Sequence, residues 1–557
     1  MVSKKWVIPA VSFFSRVLMR RFLSATASPR KTQEQTLRHL LHAHRDSQWG
    51  NEHRFSSIQS IHTFRERLPL TTYETFRPYI EKLKQGDPSA LIGRGETLLG
   101  LGLTSGTTGE PKFVPFTRRF VRDYKRSTML FAYTMVEDNP KTLEGKILAV
   151  FSPAREYRTP GGIWCGSISG WIAENQIPII RDFYALPNPV LEIKDVHARY
   201  YTLMRMAIPQ SIGTLITANP STVLTLARLA DDHKQALIRD IHDGTLQVRD
   251  RVEPSIFASI APYLKMDTEK ARQLEQLAGK HDILAPRHYW PDLQLVACWK
   301  GGTLSNYLDQ FPKLLPASTR IRDIGLLATE GRLSIPLASG NDSGCPTIDS
   351  VFFEFIPEDE EDQASPRTLL IDELEQDKNY FLVITTASGF TRYMINDLVR
   401  VTGFVNRTPF IYFLNKGKHF SSLTGEKLSE YQVVNAVKQV TNELNLFLSY
   451  FTLCPCWGEP PYYALLAEKN ELGSRALWPK LMVKLDEKLR ELNIEYNCKR
   501  ESGRLGSIRL KILEPGYYAS HQKNGKPLRE RIEQHKHVYL SSTILDDRHF
   551  PILEEMS

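Results

Sequence analysis

"IGTLITANPSTVLTLARLADDHKQALIRDIHDG", Ile212 to Gly244, changes its period halfway along. The first eight residues, Ile212 to Asn219, are mostly apolar or β-branched and read as a strand. Past Pro220-Ser221 the apolar residues recur at helical spacing, and Gly244 supplies the stop. A strand that feeds an amphipathic helix through a short turn is the building unit of a helix-covered sheet.

The alternation extends to both sides. "KILAVFSP" (Lys146 to Pro153) precedes it as a strand, and "DLQLVACW", "DIGLLAT", "SVFFEF", "YFLVITT", "LVRVTGF" and "FIYFL" follow, the last three with little between them. Interleaved strands and helices predict an α/β fold with β-sheets flanked by helices. Ligands in such sheets sit beyond the carboxyl ends of the strands, so glycine-rich and acidic turns at those ends are the places to look for chemistry. After Leu414 the glycine-punctuated "NKGKHFSSLTGEKLSE" leads into a helix-and-strand stretch long enough for a small α+β domain. The expected division is a large domain over 1–415 and a smaller one over 416–557, with a hinge at Asn415 to Gly417.

The chain has 557 residues, 41% of them hydrophobic and 24% charged, which fits more than one globular domain and excludes a disordered protein. No apolar run is long enough to span a bilayer. Six cysteines (Cys165, Cys298, Cys345, Cys454, Cys456 and Cys498) form neither a disulfide framework nor a zinc-type pair, so a reducing, cytoplasmic setting is expected. Most of the formal charge of +8 lies at the start: seven basic residues and no acidic one occur before Glu34. The remainder is close to neutral, which removes the case for nucleic-acid binding by a broad basic face. Val7, Val11, Phe14 and Leu18 fall at helical spacing in that basic segment. They predict an amphipathic helix, docked on its own protein or, less favoured, touching a membrane. The acidic "PEDEEDQ" (Pro357 to Gln363) reads as a solvated loop between strands.

Three turns carry the residue types that chemistry on phosphates needs. "TSGTTGEPK" (Thr104 to Lys112) combines glycines, which let backbone approach an anion, with hydroxyl donors and one lysine. It is no Walker loop, because Glu110 and Pro111 separate the last glycine from Lys112. "GLLATEGRLSIPL" (Gly325 to Leu337) places Thr329 and Glu330 where a strand gives way to a loop, after "WKGG" (Trp299 to Gly302). "TRYMINDLVRVTGF" (Thr391 to Phe404) offers Asp397, a carboxylate able to accept two hydrogen bonds at once.

The order of residues in "TSGTTGEPK" resembles the phosphate loop of the adenylate-forming superfamily. Several segments are similar to one branch of it, the Gretchen Hagen family of acyl-acid amido synthetases, and to its bacterial members: "SQWGNEHRF", "ATEGRLSIP", "DLVRVTGFVNRTPFIYFL" and "SSLTGEKLSE". The resemblance runs from about Arg21 to about Ser542 and implies the adenylate-forming fold, with the small C-terminal domain as a mobile lid. It implies ATP and Mg²⁺ as cofactors. Thr104, Ser105, Gly106, Thr107, Thr108 and Lys112 would hold the phosphates with Thr329; Glu330 would bind the metal; Gly301 and Gly302 would line the adenine pocket and Asp397 the ribose. "EQHKHVYLSS" is similar to the family's lysine segment, which puts Lys536 at the α-phosphate and acyl carboxylate. Met394, Ile395 and Asn396 stand where arginine, threonine and glycine are usual, so a cation and a flexible backbone position are expected to be missing.

The implied reaction adenylates a carboxylic acid and passes the acyl group to an amine or amino acid, releasing pyrophosphate and AMP. Two alternatives stand beside it: a ligase that hands the acyl group to coenzyme A or a thiol, and a degenerate nucleotide binder. His281, His288 and His419 are candidates for the base in the amine step, and Trp164, Trp171 and Tyr307 for an apolar acyl pocket.

Overall fold

The strand expected at Ile212 forms over Ile212–Thr217 and has parallel neighbours on both sides. The computed structural model describes residues 4–103, 112–176, 178–301, 305–360, 363, 365–416, 420–421, 423, 426, 428–501, 505–524, 537–541, 544–545 and 550–556. The chain divides into two compact units. One comprises residues 1–301, 308–395 and 399–413; the other comprises 302–307, 396–398 and 414–557.

Two four-stranded sheets build the first half of the first unit. In chain order the strands are β1 (Leu98–Leu103), β2 (Phe113–Thr117), β3 (Lys146–Val150), β4 (Tyr157–Arg158), β5 (Trp164–Gly166), β6 (Ile212–Thr217), β7 (Leu295–Ala297) and β8 (Arg320–Arg322). Strands β3-β6-β7-β8 form a wholly parallel sheet, and the buried, mostly apolar runs of its central strands β6 and β7 are what a sheet covered on both faces requires. The other sheet has the order β2-β1-β5-β4, with β1 antiparallel to β2 and parallel to β5.

The helix expected after β6 is two helices, Ser221–Asp232 and Lys234–Asp243. His233 between them leaves helical geometry (φ −107, ψ 17), and its ring lies 3.1 Å from that of His197 on the neighbouring helix Val196–Ala207. The apolar period continues across the break, which is why the sequence does not reveal it. Gly244 ends the second helix at φ +71, a left-handed cap that glycine takes without strain.

Four short strands follow: β9 (Leu327–Ala328), β10 (Gly331–Arg332), β11 (Ser334–Ile335) and β12 (Cys345–Pro346). The sheet β13-β14-β15-β16 comes next, from β13 (Phe352–Pro357), β14 (Asn379–Thr385), β15 (Tyr393–Val405) and β16 (Thr408–Lys416). Here the interleaving of strands with helices stops. β15 and β16 are joined by Asn406-Arg407, with Asn406 at φ +53, too short a link for a helical crossover. The acidic run leaves β13 at Pro357, in the expected place.

The N-terminal helix, Lys4–Thr26, is docked on its own unit, but in a phase other than the expected one. Ser15, Met19, Phe22 and Thr26 form the buried side; Met19 and Phe22 join Leu130, Phe131 and Met135 of the helix Arg118–Asp138. Phe14, assigned by spacing to the inner stripe, is 55% exposed beside Phe13. Apolar residues occur on both sides of this helix, so spacing alone does not choose the buried one.

The second unit holds the pair β17 (Phe420–Ser421) and β18 (Leu428–Ser429), and a mixed sheet of β19 (Phe451–Cys456), β20 (Tyr462–Glu468), β21 (Arg509–Leu513) and β22 (Ile552–Met556) in that order. The helix Glu430–Glu443 starts at a capping box in which the Ser429 hydroxyl accepts from the Gln432 amide. With the helix Trp478–Leu492 it covers one sheet face, Val433, Val437, Leu481 and Leu485 meeting Phe451, Leu453 and Leu465. Cys454 and Cys456 are buried thiols of β19, as read from the sequence. Among the described residues no helix is long and apolar enough to cross a membrane.

Candidate functional site

The register of β1 with β2 fixes where the glycine-rich loop begins and ends. Leu103 faces Phe113 across the antiparallel pair, so the two residues that flank the glycine-rich stretch lie side by side. Thr104, Ser105, Gly106, Thr107 and Thr108 lie outside the described residues, as do Gly302, Lys536, His419 and Gly417 of the expected hinge. Lys112, at the foot of β2, is described: it is half-buried, with its ammonium 5.6 Å from the centre of the Tyr73 ring. The Phe113 amide donates to the Tyr73 hydroxyl at 2.8 Å. Burial pushes that phenol up to about 12, so it stays neutral beside the lysine.

Thr329 and Glu330 are the two central residues of a hairpin turn, closed by the pairing of Ala328 with Gly331. The turn abuts the end of β1. The Thr329 hydroxyl donates to the Leu103 carbonyl at 3.4 Å, and a Cβ added at Gly102 would lie 2.6 Å from the Thr329 methyl. Glycine at 102 is therefore a condition of this approach. Glu330 is 6% exposed, so its carboxylate sits in the fold and not on the surface. Two segments more than two hundred residues apart, the root of the glycine-rich loop and the Thr-Glu turn, thus meet in one unit.

The third segment, Trp299 to Gly301, follows β7 and is tied to the chain leaving β8 by one side chain that carries no motif. Asp323 accepts from the Lys300 amide at 2.7 Å through one carboxylate oxygen and from the Gly325 amide at 2.6 Å through the other. The Trp299 indole donates back to the Gly325 carbonyl at 3.1 Å. Burial raises Asp323 to about 6, opposed by those two amides, and the nearby Asp342 carboxylate adds to the rise. The Lys300 ammonium is held by Asp342 at 2.6 Å. The only sequence signal for Asp323 is an acid two residues before a glycine at a strand end.

Asp397 lies in β15 and is buried, and with Asn396 and Leu398 it groups with the second unit. One expectation about this segment is corrected. Asn396 adopts φ +59, the left-handed region glycine would enter freely, so the special backbone position is present and asparagine fills it. Asparagine is among the few other residues that tolerate it. Arg392, directly before the segment, is also left-handed (φ +47) and is held by a bidentate pair with Glu354 at 3.0 Å. That guanidinium serves packing: it also donates to the Leu68 and Arg65 carbonyls.

Several remaining candidates have structural employment. His281 and His288 stack on each other with ring centres 4.0 Å apart, and His288 accepts from the Ala285 amide as the cap of a short helix. Trp171 packs edge-on against Phe116 at 5.8 Å. Trp164 lies beneath the Arg158 and Arg155 guanidinium groups, at 4.3 and 5.5 Å. Tyr307 belongs to the second unit, where its hydroxyl is 3.3 Å from that of Tyr539 and its ring meets Tyr450.

Comparison with known proteins bears on the whole chain. The GH3 family N-terminal domain matches residues 18–320, the GH3 family central domain 345–416 and the GH3 family C-terminal domain 431–543. The chain is 25% identical to the indole-3-acetic acid-amido synthetase GH3.5 of Arabidopsis thaliana, over 92% of this chain and 88% of that protein. It is 24% identical to the jasmonoyl-L-amino acid synthetase JAR4 of Nicotiana attenuata, over 90% and 89%. Among solved structures it superposes on GH3.15 acyl acid amido synthetase with a TM-score of 0.82 at 18% identity, covering 96% of each chain, which establishes a common fold. The three domains match in chain order and together span most of the sequence, and the protein belongs to the GH3 family.

Proposed function

We propose that the protein is an ATP-dependent acyl-acid amido synthetase. The observation that carries this reading is the meeting of the glycine-rich loop's root with the Thr329–Glu330 turn, since phosphates held by the first would lie against the hydroxyl and carboxylate of the second. The relatives named as amido synthetases, which match over about nine-tenths of the chain, support it.

In the first step a carboxylate oxygen attacks the α-phosphorus of ATP; the bond to pyrophosphate breaks and an acyl-adenylate forms. An anion must approach a polyanion, so the protein contributes position and positive charge rather than covalent chemistry. Residues 104–108, Lys112 and Thr329 orient the β- and γ-phosphates. Gly301 and Gly302 leave room for the adenine, Asp397 accepts from the ribose hydroxyls, and Lys536 neutralises charge at the α-phosphate. In the second step a neutral amine attacks the acyl carbon, the bond to AMP breaks, and the nitrogen loses a proton. The region 416–557 acts as the lid that keeps water from the adenylate.

Mg²⁺ fits the donor set. Among the described residues no group of three or more ligating side chains exists, so a resident metal cage is absent there. One buried carboxylate at a phosphate turn is the arrangement Mg²⁺ uses when nucleotide phosphates and water complete its shell. Glu330 would hold the ion, which when bound neutralises phosphate charge.

The test is carboxylate-dependent exchange of labelled pyrophosphate into ATP across aromatic, fatty and hydroxy acids, followed by AMP release with amino acids or coenzyme A as acceptor. Exchange with at least one acid and release that requires an amine are expected. Release that requires a thiol would make the protein a thioester ligase, and no exchange with any acid would make it a nucleotide binder.

A further inference from the structure

Asp323 is one carboxylate serving two turns. Its two oxygens are divided between the Lys300 amide, beside the expected adenine turn, and the Gly325 amide, at the start of the chain that leads into the Thr329–Glu330 hairpin. The linkage is closed from both ends. Gly325 is left-handed (φ +81), and a Cβ there would lie 2.5 Å from the Ser334 carbonyl, so only glycine fits this approach. Its carbonyl receives the Trp299 indole, which completes a ring Trp299–Lys300–Asp323–Gly325. On the hairpin side Arg332 donates to the Ile324 carbonyl at 2.7 Å, the Leu333 amide to the Leu326 carbonyl at 2.8 Å, and the Leu326 amide to the Ser334 hydroxyl at 2.9 Å. All these residues belong to the first unit.

We infer that Asp323 is a positioning residue that sets the Trp299–Gly301 turn at a fixed distance from the Thr329–Glu330 hairpin, and so sets the span between the adenine and phosphate ends of the ATP site. The inference rests on the adenylate-forming reading above. Asp323 acts through two backbone amides and touches neither reacting atom. A negative acceptor is suited to the task because an ionised carboxylate can accept at both oxygens, whereas an amide or a protonated acid presents a donor to one of the two N–H groups.

The charged groups around it are accounted for. Lys300 is engaged by Asp342. Arg332 donates to the Ile324 carbonyl, and Arg322 turns away to Asp138, Ser339 and Thr134. No cation is hydrogen-bonded to Asp323 among the contacts described: Lys300, Arg322 and Arg332 act on it through their charge alone, the buried Cys298 thiol and the Asp342 carboxylate also face it, and the two amides are its hydrogen-bond donors. Its ionisation near pH 6 then falls within the range of an ordinary assay. Above that pH both turns are held; as pH falls through about 6 the protonated acid holds one.

The experiment measures the ATP dependence of pyrophosphate exchange in full-length protein from about pH 5 to 8, for the parent and Asp323→Asn, with amide hydrogen exchange at Lys300 and Gly325. The parent is expected to show a KM for ATP that rises about tenfold as pH falls through 6, with the KM for the acid unchanged. Asp323→Asn should carry the high KM at every pH, and Asp323→Glu should recover part of the loss. Protection of the Lys300 and Gly325 amides in the parent should fall over the same pH range. A flat parent KM for ATP together with unchanged amide protection would overturn the role, and that measurement needs no variant to fold. Absence of exchange with any acid would sink the adenylation reading instead, while the amide protection still decides whether Asp323 ties the two turns.

Discussion

The Thr329–Glu330 turn and the Tyr393–Asp397 segment are both singled out by resemblance, and they are built in opposite ways. The first keeps the residues and owes its place to its neighbours: a hairpin two residues across, pressed on β1 because position 102 has no side chain. The second departs from the usual residues and has an unusual backbone, with Asn396 at φ +59 inside a thirteen-residue strand. A changed letter is therefore not a changed conformation. A left-handed position does not require glycine, because asparagine is one of the few other residues that tolerate it.

The comparison can be broken most forcefully at the turn. Replacing Glu330 with Gln keeps the shape and removes the charge; pyrophosphate exchange is expected to fall by about 100-fold or more, with a raised Mg²⁺ requirement. A variant with the parent's rate and Mg²⁺ dependence would remove Glu330 from the chemistry. Gly102→Ala tests the contact rather than the charge. The added methyl must push Thr329 away, and a displacement of about 1 Å is expected to cost about tenfold or more in exchange rate. Thr329→Ser in that background removes the opposing methyl and should restore part of the loss, and failure to do so would show that the collision is not the cause.

Smaller effects sharpen the other half. Asn396→Val places a β-branched residue at φ +59 and should destabilise the fold by about 1–2 kcal/mol in denaturant unfolding. Asn396→Gly should change stability by about 0.5 kcal/mol or less. Equal behaviour of the two variants would mean that the left-handed angle is not held in solution.

How much of this could be read beforehand depends on whether a feature is periodic, local or assembled. The strands β3 and β6 and the stop at Gly244 are periodic or local and were legible. The phase of the N-terminal helix was not, because Phe13 and Phe14 on one side compete with Met19 and Phe22 on the other and only docking decides. The break at His233 was hidden because the apolar period runs on through it. Asp323 was beyond reach because its partners are backbone amides of two turns, and a backbone amide has no letter in the sequence. Asn396 was misjudged because residue identity was allowed to stand for torsion angle.

The second unit collects residues 302–307 and 396–398 in addition to everything from Leu414 onward. It is woven from three passes of the chain, so a single crossover near residue 415 would transplant its bulk while leaving two of its strips with the old host. Recombination between distant members of the family at that point produces a chimera whose carboxy-terminal body is finished by foreign segments. Exchange should succeed when those two strips travel with it and fail when they are left behind.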